Sequence, residues 1–206
     1  MLLWVAAGLF VASFASFAFD KSVALYYGAR KKKRWRKRVW ATTDFAKAGH
    51  WLIVVVLAYA GTQAAIALGY KTPAIRTVSD YALALLLSML AASAILHTIK
   101  LFIGRRRPRD LFDHNFYGWE FFKFDTTHDS FPSGHAQTIF CVATAATAAW
   151  PEPWPLWFAI AAYLALTRAL LTSHFLSDVL FGAALGLAVS REIFVNVFPA
   201  LAPAWF

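Results

Sequence analysis

Charge is scarce in this chain. Charged residues make up 15% of it, against about 25% in a soluble domain, and they fall in blocks between long uncharged stretches. Cysteine is nearly absent: Cys141 stands alone, which excludes an intrachain disulfide and leaves the redox compartment open. It falls inside an apolar stretch and reads as a small buried hydrophobe. Internal repeats are missing, and one basic run is the only biased tract. The acidic side is thin, 11 residues against 20 lysines and arginines, for a formal charge of +9. In a soluble protein that excess would point to nucleic acid, but no soluble reading module accompanies it, so nucleic acid is set aside as a partner.

Apolar residues dominate instead, at 60%. A membrane-crossing helix needs roughly 20 mostly apolar residues. Segments of that character run over Leu2–Phe19, Trp51–Gly69, Tyr81–Ile99, Gly134–Trp150, Pro155–Leu171 and Asp178–Phe198. Tryptophans at positions 4, 51, 150 and 154 flank them as an interfacial belt would. The expectation is an all-α, polytopic membrane helical bundle of about six transmembrane helices, one domain over residues 1–206. Leu2–Phe19 is read as a span and not a cleaved leader, since it lacks a basic start and a nine-residue basic run, "RKKKRWRKR" (Arg30–Arg38), follows it. Beside membrane spans such a run sets orientation or touches anionic headgroups.

Connections differ in character. "PEPWP" (Pro151–Pro155) is a tight turn, because its prolines cannot continue a helix. Residues 70–80 read as a short loop on the same side. The stretch from Lys100 to Phe131 is long, charged and too aromatic for disorder. Following the spans up and down puts Lys100, Ser133, Leu171 and Asp178 on one side of the membrane, and the unusual polar clusters fall there.

The first cluster is "KLFIGRRRP", Lys100 to Pro108. Lys100 and Arg107 lie two helical turns apart and share a face if the helix continues that far. Arg105, Arg106 and Arg109 read as an ordinary positive helix cap. The second, "PSGH", opens a helix with Pro132, Ser133, Gly134 and His135. Helix N-terminal amides attract anions, Gly134 admits a ligand close to the backbone, and Ser133 can cap the helix or donate to an oxyanion. The third, "TRALLTSHFLSD", runs from Thr167 to Asp178. Arg168 stands in an apolar span, where an ionised residue is a functional candidate by default. His174 and Asp178 are spaced i, i+4, so a carboxylate can fix the imidazole tautomer and free the other nitrogen to attack. Together these supply cations and forked donors for phosphate oxygens, and two histidines to divide attack from leaving-group protonation.

Lys100-x6-Arg107-Pro108, then Pro132-Ser133-Gly134-His135, then Thr167-Arg168-x5-His174-x3-Asp178 resembles the type 2 phosphatidic acid phosphatase family, in that order. Thr167 departs from the serine usual there but keeps a hydroxyl. The resemblance implies His174 as nucleophile of a phosphohistidine, Asp178 as its orienting partner and His135 as the acid. Lys100, Arg107, Ser133, Gly134 and Arg168 would hold the phosphoryl group, with no cofactor or metal. It implies a phosphorylated membrane lipid as substrate: phosphatidic acid, phosphatidylglycerophosphate or a prenyl diphosphate. The aromatic loop Asp110–Ser130 is expected to shape selection; the spacing of His114 and His128 in it fits no metal site. Ten lysines and arginines between Lys21 and Lys47, against Lys71, Arg76 and Arg191 opposite, favour the cytoplasmic face of the inner membrane for the active site, whereas the resemblance implies a periplasmic face for members that handle envelope lipids. The alternatives are a lipid phosphotransferase on the same scaffold and a non-catalytic protein holding anionic lipid at Arg30–Arg38; the latter leaves His135, His174 and Asp178 without a reason.

Overall fold

The computed structural model describes residues 1–30, 34–122 and 128–206. Part of the basic run (31–33) and part of the aromatic loop (123–127) lie outside the described residues. The elements are α1 (Leu2–Ser16), α2 (Asp20–Gly28), α3 (Trp35–Thr43), α4 (Ala48–Ala67), α5 (Pro73–Ile103), α6 (Pro108–His114), α7 (Gly134–Ala149), α8 (Trp154–Leu170) and α9 (Leu176–Glu192). No strand occurs among the described residues; an isolated pair of bridges joins Arg105 to Trp119 and Asp129. All six apolar segments are helical.

Burial explains the layering. α7 is buried along almost its whole length, and α9 packs against it with Gly182 and Gly186 one turn apart. A Cβ at Gly182 would sit 2.3 Å from the Ser133 carbonyl oxygen, and one at Gly186 would sit 2.2 Å from that of Gln137. Small residues at this spacing let two helix backbones touch, which is how helices associate where lipid removes the hydrophobic drive. α4 is the opposite case. Only Val55 is buried, while Ile53, Val54, Val56 and Leu57 face outward. A helix apolar all round and exposed on most sides suits hydrocarbon, not water.

By length and composition, the stretch Trp35–Ala67 (α3 and α4 with the turn between them) and α5 are sufficient to cross a membrane; α1 and α2 would add a third if read as one broken span. They meet at a 76° bend, so the predicted first span ends at Ser16 and turns. The third span is longer than expected. Thr72 accepts from the Ile75 amide at 3.3 Å and Pro73 occupies the first helical position, so α5 starts inside what reads in sequence as a loop. α5 stops at Gly104, whose φ of 52° and close approach to the Glu120 carbonyl admit no side chain. The chain then pairs back on itself, Glu120 N–H donating to Gly104 O at 2.8 Å and Phe122 N–H to Phe102 O at 3.2 Å. Lys100 and Arg107 are therefore not carried on one continuous helix.

Candidate active site

The site forms where α5, α7, α8 and α9 present one set of ends. Ser133 takes the N-cap position of α7, and its amide donates to the Asp178 carbonyl at 2.9 Å, tying the first turns of α7 and α9 together. The Ser133 hydroxyl makes no capping bond; it is buried without a partner among the described residues. An ideal Cβ on Gly134 meets nothing within 4 Å, so the backbone there borders open space. His135 follows, its Nε2 also buried and unpartnered among the described residues.

After α8 the chain reverses tightly. Ser173 and His174 amides both donate to the Arg168 carbonyl, at 2.9 and 3.2 Å, and Thr172 takes a φ of 57°. That conformation costs a β-branched residue about 1–2 kcal/mol, and it brings His174 back beside Arg168. The Arg168 guanidinium receives support from α3: Nη1 donates to Thr43 Oγ1 at 3.3 Å, while Nε is buried without a partner among the described residues. Thr167 donates to Thr43 at 2.8 Å, so the hydroxyl that replaces serine anchors the same corner.

His174 is buried, with Nδ1 2.7 Å from the Ser130 carbonyl. A carbonyl only accepts, so Nδ1 carries the hydrogen and Nε2 keeps its lone pair. Burial pushes this imidazole below its ordinary pKa; Asp178 pulls the other way, and Arg107 and Lys100 add to the depression. The expected direct His174–Asp178 bond needs correction. Asp178 Oδ2 lies 3.7 Å from Nδ1, beyond hydrogen-bond reach. Its oxygens are taken by Arg105 at 2.5 Å, Ser130 Oγ at 2.6 Å and the Phe175 amide at 2.8 Å. The tautomer is set by a backbone carbonyl, and Asp178 acts from one step behind.

Lys100 and Arg107 do meet, on Asp129. Arg107 grips its carboxylate through Nε and Nη2 at 2.7 and 2.9 Å, and Lys100 donates to its backbone carbonyl. Although burial opposes its charge, these cations hold the Asp129 carboxyl below the usual range.

A second correction concerns Arg105, read in sequence as a helix cap. It is 1% exposed and bonds Ser177 at 2.6 Å, Asp178 at 2.5 Å, Asp20 at 2.8 Å and Tyr117 at 3.1 Å. Phe175 and Trp119 stack within 4.3 and 4.7 Å of its guanidinium carbon. Asp20, Ser130, Ser177 and Asp129 were likewise not singled out by sequence. The clue for Asp20 was an acidic residue straight after an apolar run; nothing local marked Ser130 or Ser177. Among the described residues no group of three His, Cys, Asp or Glu side chains is arranged to hold a metal ion.

Cations, side-chain donors without partners among the described residues and a lone-pair imidazole gather at one end of the helical fold, an arrangement chemically suited to an anion. The family model described as the PAP2 superfamily matches residues 81–201. The chain belongs to that superfamily. Lipid A 1-phosphatases of Rhizobium johnstonii and Rhizobium etli are each 30% identical to it over 127 residues, covering 57% of this chain and 51% and 54% of theirs. The chain thus spans about half the length of the curated relatives it matches. A crystal structure described as the first transmembrane PAP2 type phosphatidylglycerolphosphate phosphatase from Bacillus subtilis superposes with a TM-score of 0.67 at 21% identity, over 100% of this chain and 97% of that one. That likeness bears on fold, and with the apolar helices it makes this an integral membrane protein.

Proposed function

We propose that the protein hydrolyses a phosphate monoester or diphosphate of a membrane lipid through a phosphohistidine. The observation that carries the reading is His174: Nδ1–H held by Ser130, Nε2 unpartnered among the described residues, at the end where Lys100, Arg107 and Arg168 gather. Nε2 attacks phosphorus, the bond to the leaving oxygen breaks, and His135 delivers a proton to that oxygen. Water then adds to phosphorus as His135 takes its proton, and the N–P electrons return to Nε2. Lys100, Arg107 and Arg168 neutralise the equatorial oxygens, while Ser133 Oγ and the amides at Gly134 donate neutral bonds. No metal enters this scheme.

The lipid half of the reading rests on an apolar cavity of about 870 Å³ between α4, α5, α7 and α8. It extends from Thr42 and Phe45, next to the Thr43 that holds Arg168, down to Tyr81 and Trp150. Phosphatidic acid, phosphatidylglycerophosphate and prenyl diphosphates all pair such a chain with a phosphate. The chelator test is direct. Wild type in excess chelator should release phosphate from at least one of these lipids and His174→Ala from none; equal release by both removes His174 as nucleophile.

We infer also that the six apolar helices cross the inner membrane with the site facing the cytoplasm. Supporting this, Arg36 of the basic run donates to the carbonyls of Leu170 and Leu171 at 2.9 and 2.8 Å, so the run and the site share one side. A cavity of about 580 Å³ lined by Arg36, Lys37, Trp40, Leu171 and Ser173 suits an anionic headgroup. A cysteine at exposed Ser22 should resist an impermeant thiol reagent applied outside; labelling there reverses the orientation. The buried Cys141 gives no background.

A further inference from the structure

Arg105 sits between two carboxylates where one would balance its charge. Asp20 and Asp178 are both 0% exposed, and Arg105 is 1% exposed. Asp20 reaches it from the bend between α1 and α2, outside the residues matched by the family, and also accepts from the Ser177 amide at 3.0 Å and the Ser177 hydroxyl. Asp178 reaches it from the first turn of α9. Burying three ions is costly unless every charge is matched. Here the cluster carries one surplus negative charge, and it stands directly behind the imidazole.

We propose that Arg105, clamped by Asp20, is a positioning residue for His174: it holds Asp178 off direct contact and sets how much negative charge the imidazole ring meets. The inference rests on the phosphohistidine reading. When Nε2 bonds phosphorus while Nδ1 keeps its hydrogen, the ring becomes cationic, and the surplus charge of the Asp20–Arg105–Asp178 cluster offsets it. Other charged groups around His174 act in both directions. Lys100 and Arg107 oppose a positive ring, Asp129 favours it, and His135 and Arg168 are near enough to act on it as well. Asp178 is the nearest, and Arg105 is the cation that touches Asp178.

The cluster predicts opposite effects from its two ends. Arg105→Gln leaves Asp178 unopposed, so the acid limb of kcat/KM should rise by about half a pH unit or more, with kcat down about tenfold and KM within about threefold. Asp20→Asn commits Arg105 wholly to Asp178, so the limb should move down. Should Arg105→Gln fail to fold in detergent, Arg105→Gln with Asp20→Asn removes one buried charge of each sign and should still move the limb up. The same shifts, read by nitrogen NMR titration of the His174 imidazole, need no turnover. Wild type without phosphate release on any lipid would refute the phosphatase reading; NMR shifts of both signs would still support the cluster. Unmoved limbs, limbs moving the same way, or a change in KM alone would overturn the positioning role.

Discussion

Adding one methyl group at Gly182 tests the α7–α9 contact as a determinant of catalysis. In Gly182→Ala the new Cβ would lie 2.3 Å from the Ser133 carbonyl oxygen and 3.3 Å from the Ala136 Cβ. Ordinary contact needs about 1 Å more, and the obstacle is backbone, which cannot rotate away. The first turn of α7 must move, carrying Ser133 and His135 away from His174 and straining the Ser133–Asp178 backbone bond. A displacement of about 1 Å at reacting groups costs on the order of 100-fold in rate, whereas overpacking alone costs about 1–3 kcal/mol of stability. Gly186→Ala is the control. Its Cβ would meet Gln137 O at 2.2 Å, an equal insult about 6 Å farther along the helix. Steady-state phosphate release and thermal unfolding in detergent should show similar destabilisation in both variants, with the large kcat loss in Gly182→Ala alone. Equal kcat in the two, or a Gly182→Ala enzyme within about threefold of wild type, would refute the reasoning.

Thr43→Val removes the acceptor for Arg168 Nη1 and Thr167 Oγ1. At about 1–1.5 kcal/mol for the lost bonds, KM should rise about tenfold with a smaller change in kcat, measured on the best lipid. Arg36→Met takes two donors from the end of α8; melting should fall by about 2–4 °C for each kcal/mol lost, with activity falling in parallel because the next turn carries His174. The depressed His174 pKa fixes a pH window. The folded ring takes up its proton less readily than the unfolded one, so stability is full above about pH 6.5 and declines as pH drops below it. The acid limb of kcat/KM should lie in that same region below 6.5; a limb above 7 would contradict the burial argument.

How much of this could be read beforehand depended on the range of the interaction. Apolar runs declare helices locally, so all six segments are helical, while the 76° bend after Ser16 and the early start of α5 turn on side chains that hydropathy does not weigh. The motifs marked Ser133, His135, Arg168 and His174 through short-range spacing along the chain. Arg105 reads in sequence as one of three arginines forming a positive helix cap, because sequence records a charge and not its burial. Its carboxylate partners lie 85 residues before it and 73 after it, across contacts that only the bundle creates. The His174–Asp178 spacing likewise predicts a shared helical face, but His174 precedes the first residue of α9, so the i, i+4 rule does not govern the pair.

The grip of Arg107 on Asp129 bears on what the site refuses. In the resting state the guanidinium fork already holds an internal anion, half-buried and tethered by the chain. A free phosphate ion arriving from water brings nothing but its own charge to unseat that carboxylate. On the proposed reading, a phosphate attached to a hydrocarbon chain is confined to the membrane beside the site, which raises its effective concentration there far above that of a dissolved ion. On that reading Asp129 is a built-in competitor that favours anchored over dissolved phosphate, and one that would help to clear the site once the inorganic product has lost its anchor.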